Sequence, residues 1–212
     1  MIRLFFFLII ANLAFAAEKN VIENLEGKVF INKVSATKGS PVKSGDEIAT
    51  GPNSRATVLY QDEAYQLRQN TVFVLPSEIQ KESTSKLLAG AVLGAFTPGK
   101  PRQMKLGGNA TLSIRGTGIY AEVDPKGIVH YCLCYGKSNL STHDHSIDLD
   151  TKSKFHKDLI VLQDGTIRTP KFTERKLDHT SRQNIELEKK LDRPSPFGGG
   201  YRDFMAFFEW TL

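Results

Sequence analysis

The chain has 212 residues, with 28 Lys and Arg against 23 Asp and Glu and a formal net charge of +5. That is enough for one domain of ordinary size with a sizeable core and an appendage. The basic excess is mild, scattered among acidic residues and not gathered into a helical stripe, which excludes nucleic acid as the default partner.

Residues 1–16 open with Arg3, continue as an apolar run from Leu4 to Ala11, and close on Ala14-Phe15-Ala16. This is the pattern of an export signal, with cleavage expected near Ala16. The run is too short for a comfortable membrane span, and no other stretch approaches the roughly 20 apolar residues that one needs. The mature product is therefore expected to be periplasmic or secreted, without a transmembrane segment, and residues 17–24 are expected to form a linker.

From Gly27 to about Leu162 the sequence is a series of short β-branched, aromatic or alternating runs, among them Val29, Ile31, Val58, Tyr60, Tyr65, Leu67, Val72, Val74, Leu112, Ile114 and Tyr120. Turn residues separate them at Ser44-Gly45-Asp46, Gly51-Pro52-Asn53-Ser54, Gly107-Gly108-Asn109 and Asp124-Pro125-Lys126-Gly127. This spacing predicts a mainly β fold, an antiparallel roll or sandwich or a solenoid. Gly45, Asp46 and Gly51 are assigned to turns. Arg115-Gly116-Thr117-Gly118 resembles a phosphate loop by letter, but strand-like residues follow it where a dinucleotide fingerprint needs a helix. Gly116 and Gly118 are therefore assigned to a bulge or tight bend.

The two cysteines of the chain lie in His130-Tyr131-Cys132-Leu133-Cys134-Tyr135. On a strand, side chains alternate between faces, which puts His130, Cys132 and Cys134 on one side and Tyr131, Leu133 and Tyr135 on the other. Residues two apart on an extended strand have Cα atoms about 6.6 Å apart and near-parallel Cβ vectors, which disfavours a bridge needing Cβ atoms about 3.5–4.5 Å apart. Three readings stay open: a metal or redox site, a distorted or intermolecular disulfide, and simple packing of buried cysteines. The first suits Zn or Cu(I), with Cys132, Cys134, His156 and His130 as candidate ligands. His143 and His145 fall in a polar loop that could contribute to the same site, whereas His179, just before a helix, is assigned to the surface.

Residues 178–192 predict a short amphipathic helix, with Ile185, Leu187 and Leu191 on its apolar side and N-cap candidates at Asp178, Thr180 and Ser181. Pro194 to Gly200 form a link to the aromatic tail 201–212, expected either to fold back on the β core or to dock on a partner or membrane surface. No G-x-S-x-G elbow and no H-E-x-x-H motif is present, and Ser35-x-x-Lys38 and Ser83-x-x-Lys86 lack the helical context of the S-x-x-K enzymes. Catalysis by Cys132, with His156 as base, remains an alternative of a different class.

Leu25-Glu26-Gly27-Lys28-Val29-Phe30, Val42-Lys43-Ser44-Gly45-Asp46-Glu47-Ile48-Ala49-Thr50-Gly51-Pro52-Asn53-Ser54-Arg55-Ala56 and Tyr65-Gln66-Leu67-Arg68-Gln69-Asn70-Thr71 together resemble the FecR domain over about residues 25–123. The G-D-x-I-x-T-G stretch is the most specific part. Ile114-Arg115-Gly116-Thr117-Gly118-Ile119-Tyr120 and Tyr131-Cys132-Leu133-Cys134-Tyr135-Gly136 are similar to a branch of stand-alone exported FecR-like proteins. In that branch a histidine pair follows; His156 matches one member and Phe155 stands at the other. FecR proteins relay signals across the envelope, and the matching region corresponds to their exported domain. The resemblance thus implies a non-catalytic binding or sensing module with an envelope protein as partner. The alternative is a structural envelope-interaction protein whose cysteines are packed or bridged. The organisation expected is a signal at 1–16, the linker 17–24, a FecR-like domain at 25–123, a β extension carrying the cysteines at 124–175, and a helix with aromatic tail at 176–212.

Overall fold

The structure is a computed structural model that describes residues 20–79, 82–151, 156–174 and 179–197. The export signal, the cleavage point and the aromatic tail 201–212 lie outside the described residues. Among the described residues, fourteen strands join in one sheet. In the first half these are β1 (Val21–Glu26), β2 (Val29–Ile31), β3 (Val34–Ser35), β4 (Glu47–Thr50), β5 (Arg55–Tyr60), β6 (Glu63–Leu67), β7 (Val72–Ile79) and β8 (Glu82–Ala95). They continue with β9 (Arg102–Leu106), β10 (Ala110–Val123), β11 (Val129–Ser141), β12 (Ser146–Thr151), β13 (Lys157–Val161) and β14 (Ile167–Arg168), and end in the helix α1 (Ser181–Lys190). The mainly β class with one short helix is as the turn spacing predicts.

Three long strands organise the sheet because each changes partners partway. β8 pairs with β7 and β9 along its first part and with β6 and β10 along its second. β10 passes from β9 to β8, and β11 from β13 to β12. Gly90 marks the change in β8: its φ is +78°, and a Cβ there would stand 2.5 Å from the Thr71 backbone. All pairs are antiparallel except β8–β9, which is parallel, so the sheet is mixed where an antiparallel one was expected. A parallel pair needs a crossover of about a dozen residues or more, and residues 88–101, the rest of β8 and the turn after it, supply one.

Because side chains alternate along each strand, both faces of the sheet bury apolar groups. One face holds the main core, including Val58, Tyr65, Phe73, Val92, Ile119, Tyr131 and Leu133. The other holds a smaller cluster built from their neighbours: Leu59, Ala64, Leu93, Ala95, Tyr120, Cys132, Cys134 and Tyr135. α1 covers this second cluster through Leu187.

Two boundaries differ from expectation. β1 starts at Val21, inside the segment 17–24 assigned to a linker, because Ile22 is fully buried and the strand pairs with β5. The division at 123/124 falls at the turn between β10 and β11, which pair along almost their whole length.

Helix α1 is stopped at its start by a reciprocal cap: Gln183 N–H donates to Thr180 Oγ1 at 3.3 Å, and Thr180 N–H donates to Gln183 Oε1 at 2.9 Å. Its buried stripe is Ser181, Asn184, Leu187 and Glu188, with Ile185 only half-buried. The stripe is thus more polar than the amphipathic pattern suggested. Fully burying Leu187 contributes about 1.5–3 kcal/mol. Ten residues is shorter than the roughly 12–15 that an isolated helix needs to be even marginal in water, so α1 depends on specific ties to the sheet.

Candidate metal centre

The cysteine strand β11 lies against β10 on one side and β13 on the other. The register places Tyr120 opposite Cys132, Ile119 opposite Leu133 and Gly118 opposite Tyr135. Cys134 falls between these pairs as the extra residue of a β-bulge. Such an insertion re-aims the side chains that follow it. Tyr131 and Leu133 therefore point into the main core as alternation predicts, but Tyr135 joins the cysteines on the second face instead of lying opposite them.

A second bulge lies beside the first. Gly116 and Thr117 of β10 oppose the single Gly136 of β11, with Gly116 at φ +64° and Gly136 at φ +86°. Gly118 has another duty: a Cβ there would sit 2.0 Å from Tyr135 Cε1, so the tyrosine ring takes the space that a side chain would need. Both glycines act inside a strand, in line with the bulge assignment. Gly45, at φ +77°, and Asp46, which accepts from Lys43 N–H at 2.8 Å, do form a turn, and Gly51 N–H donates to Lys28 O at 2.9 Å in the next.

The fold brings together four side chains with metal-capable donor atoms. Cys132, Cys134, His156 and His179 offer donor atoms that all lie within 4.8 Å of one another. Cys132 Sγ stands 3.2 Å from His156 Nδ1, and His156 Nδ1 stands 3.1 Å from His179 Nε2. The cysteines are not bridged, and both are buried. His156 immediately precedes β13, while His179 precedes Thr180, the cap of α1. The four residues thus come from three separated parts of the chain.

Further contacts orient the imidazoles. The other ring nitrogen of His156, Nε2, lies 3.3 Å from Ser181 Oγ in the first turn of α1. His179 is 7% exposed and stacks on Tyr120, with ring centroids 4.5 Å apart and planes 13° from parallel. The assignment of His179 to the surface is therefore corrected: docking of α1 on the second core carries the residue before its cap into the interior. No spacing rule pointed to it.

His130 and the loop histidines are not in this group. His130 pairs with Glu122 and Ile160 in register, one alternation further along β11, and lines a small cleft with Tyr120, Asp158, Pro170 and Glu174. It is not among the four clustered donors: although it lines the same cleft as Cys132, it lies on the side of Cys132 away from Cys134, two alternations from it along β11. His143 is 97% exposed at the tip of the β11–β12 turn, paired with Asp144, and His145 is exposed beside it.

Electrostatically the two thiols and His156 influence one another. Burial pushes the Cys134 thiol up, but hydrogen bonds from Cys132, His156 and His179 outweigh it and hold the group well below the ordinary thiol range. The hydrogen bond to Cys134, and then burial, push Cys132 up. The same interaction with Cys134 raises the His156 imidazole against the effect of burial. One thiolate is therefore favoured and a second opposed, as for any pair of closely coupled acids. A cation placed among them reverses that penalty, because thiolate is the ligand form.

In a tetrahedral zinc site, with Zn–S of about 2.3 Å and Zn–N of about 2.0–2.1 Å, donor atoms stand about 3.3–3.8 Å apart. The Cys132–His156 and His156–His179 separations, 3.2 and 3.1 Å, fall just below this range, and the widest spacing in the group, up to 4.8 Å, lies above it. Two sulfurs and two imidazole nitrogens make a closed S2N2 set.

Part of the fold has solved counterparts. Two crystal structures of a protein described as a "putative anti-sigma factor" from Parabacteroides distasonis ATCC 8503 align with TM-scores of 0.51 and 0.50, each at 17% identity. Each alignment covers 58% of this chain and 58% of that one, so the chain spans under two thirds of the length of these neighbours. No protein-family model and no curated protein matches the sequence.

Proposed function

We propose that the protein is a non-catalytic, exported binding and sensing module of FecR type, in which Cys132, Cys134, His156 and His179 hold one thiophilic ion, Zn2+ or Cu(I). The observation that carries this reading is the gathering of four buried donor atoms within 4.8 Å. Two thiols and two imidazoles drawn from three elements into one buried cluster match the donor types a thiophilic ion takes. A closed four-ligand set leaves no open position for substrate, and Cys134 is fully buried. Both favour a structural or sensing ion over catalysis. The regulatory side rests on the FecR resemblance, supported by a fold shared with a protein described as an anti-sigma factor.

Chelator-stripped protein should take up one Zn2+ per chain in competition with a chromophoric chelator. Co2+ used as a probe should give the charge-transfer and ligand-field bands of a tetrahedral S2N2 site. Cys134→Ser should weaken uptake by about 100-fold or more, beyond the effect of losing an outer-shell group. Equal uptake by the mutant would reject the site. N-terminal sequencing of protein recovered from the envelope should begin at Ala17 if the chain is exported as proposed.

A further inference from the structure

We propose that the ion fastens helix α1 to the sheet, so that metal state sets whether the second core is covered. The proposal depends on the metal reading above and extends it to regulation. Three observations converge on it. First, the ligands straddle the joint: Cys132 and Cys134 belong to the sheet, whereas His179 adjoins the cap of α1 and His156 bonds to Ser181 in its first turn. An ion bound by all four ties the start of the helix to β11.

Second, α1 has few other ties at that end: Arg68 Nη2 donates to Gln183 Oε1 at 3.0 Å, and no fully buried apolar side chain precedes Leu187 in the helix. Its buried stripe includes Ser181 and Asn184, and Asn184 Oδ1 is buried with no hydrogen-bond partner among the described residues. Leu187 supplies the only fully apolar buried position of the helix, and the helix is too short to persist unaided. Third, the opposite end is held separately. Glu188 accepts from Tyr135 Oη and pairs with Arg193, which in turn donates to Thr97 Oγ1 at 2.7 Å. Loss of the ion therefore releases the helix from its start, at Thr180 to Asn184, and uncovers Tyr120 and the cysteine face of β11.

Hydrogen exchange on the full-length protein tests this. Amides at the start of α1 should exchange about tenfold faster or more in the stripped protein than in the Zn2+ form, while the amides of β8 and β10 stay unchanged. Zn2+ stoichiometry is measured on the same samples. His179→Ala, which leaves both thiols and the sheet intact, should show the fast exchange even with Zn2+ present. Uptake of Zn2+ with no change in α1 would overturn the fastening and leave the metal site standing. Global loss of protection on stripping would also overturn it, because the ion would then hold the whole core. No uptake would remove both.

Discussion

His179 lies stacked on Tyr120, its ring plane 13° from that of the tyrosine and its centroid 4.5 Å away. Tyr120 stands opposite Cys132 in the β10–β11 ladder, so one aromatic ring relates the imidazole just before the cap of α1 to a strand-borne thiol. Groups that orient a ligand without touching the ion typically contribute 10–100-fold to metal affinity. Tyr120→Leu, which keeps an apolar side chain in the second core, should weaken Zn2+ binding by about tenfold in chelator competition. Unchanged affinity would mean that the cap of α1 alone orients His179.

The Tyr135 ring occupies the space that a Cβ on Gly118 would need. Gly118→Ala should destabilise the protein by about 1–3 kcal/mol through overpacking, measured by urea unfolding. Much of that loss should disappear in the background Tyr135→Ala, because the two positions compete for one volume and their effects are not additive. Additive losses would show that the alanine acts on the bulge backbone instead.

Tyr135 also reaches across to α1, donating to Glu188, which pairs with Arg193. Glu188 is 5% exposed. Removing one partner of a buried ion pair costs about 3–5 kcal/mol, and Glu188→Ala is expected at the lower end because Arg193 keeps some contact with water. Zn2+ affinity should change by less than about threefold, since the ligands lie at the other end of the helix. A parallel collapse of metal binding would show that the two ends of α1 are coupled.

Outside the cysteine–histidine cluster, Glu63 is 1% exposed and accepts from Tyr65 Oη and Arg102 Nε. Burial raises its carboxyl above the ordinary 4.5, outweighing the lowering by Tyr65 and Arg102. A raised folded-state pKa means that the native protein holds a proton the unfolded chain has lost. The stabilisation is full below pH 4.5 and declines as pH rises through the folded value. The stability of wild type relative to Glu63→Gln should therefore fall between pH 4 and pH 7 in urea unfolding. A rise over that interval would show that Arg102 and Tyr65 prevail over desolvation.

The β class, the turns at Gly45 and Gly51, the glycine bulge at Gly116 and a helix before Pro194 could all be read along the chain, because each depends on residues within a few positions of one another. The same holds for the placement of Cys132 and Cys134 on one face, and His156 was within reach as a residue a short loop away.

Tyr135 is where local reading ended: nothing in the run from His130 to Tyr135 reports the inserted residue, which exists only as a mismatch between two paired strands. His179 was hidden for a related reason. Its burial follows from the docking of α1 onto a second apolar face, and that face arises because β8, β10 and β11 each bury both sides. The sequence by itself determined which segments extend, turn or coil, through short-range sterics and periodicity. Only the tertiary structure decided which histidine meets the thiols, since that depends on the register and packing of elements more than twenty residues apart in the chain.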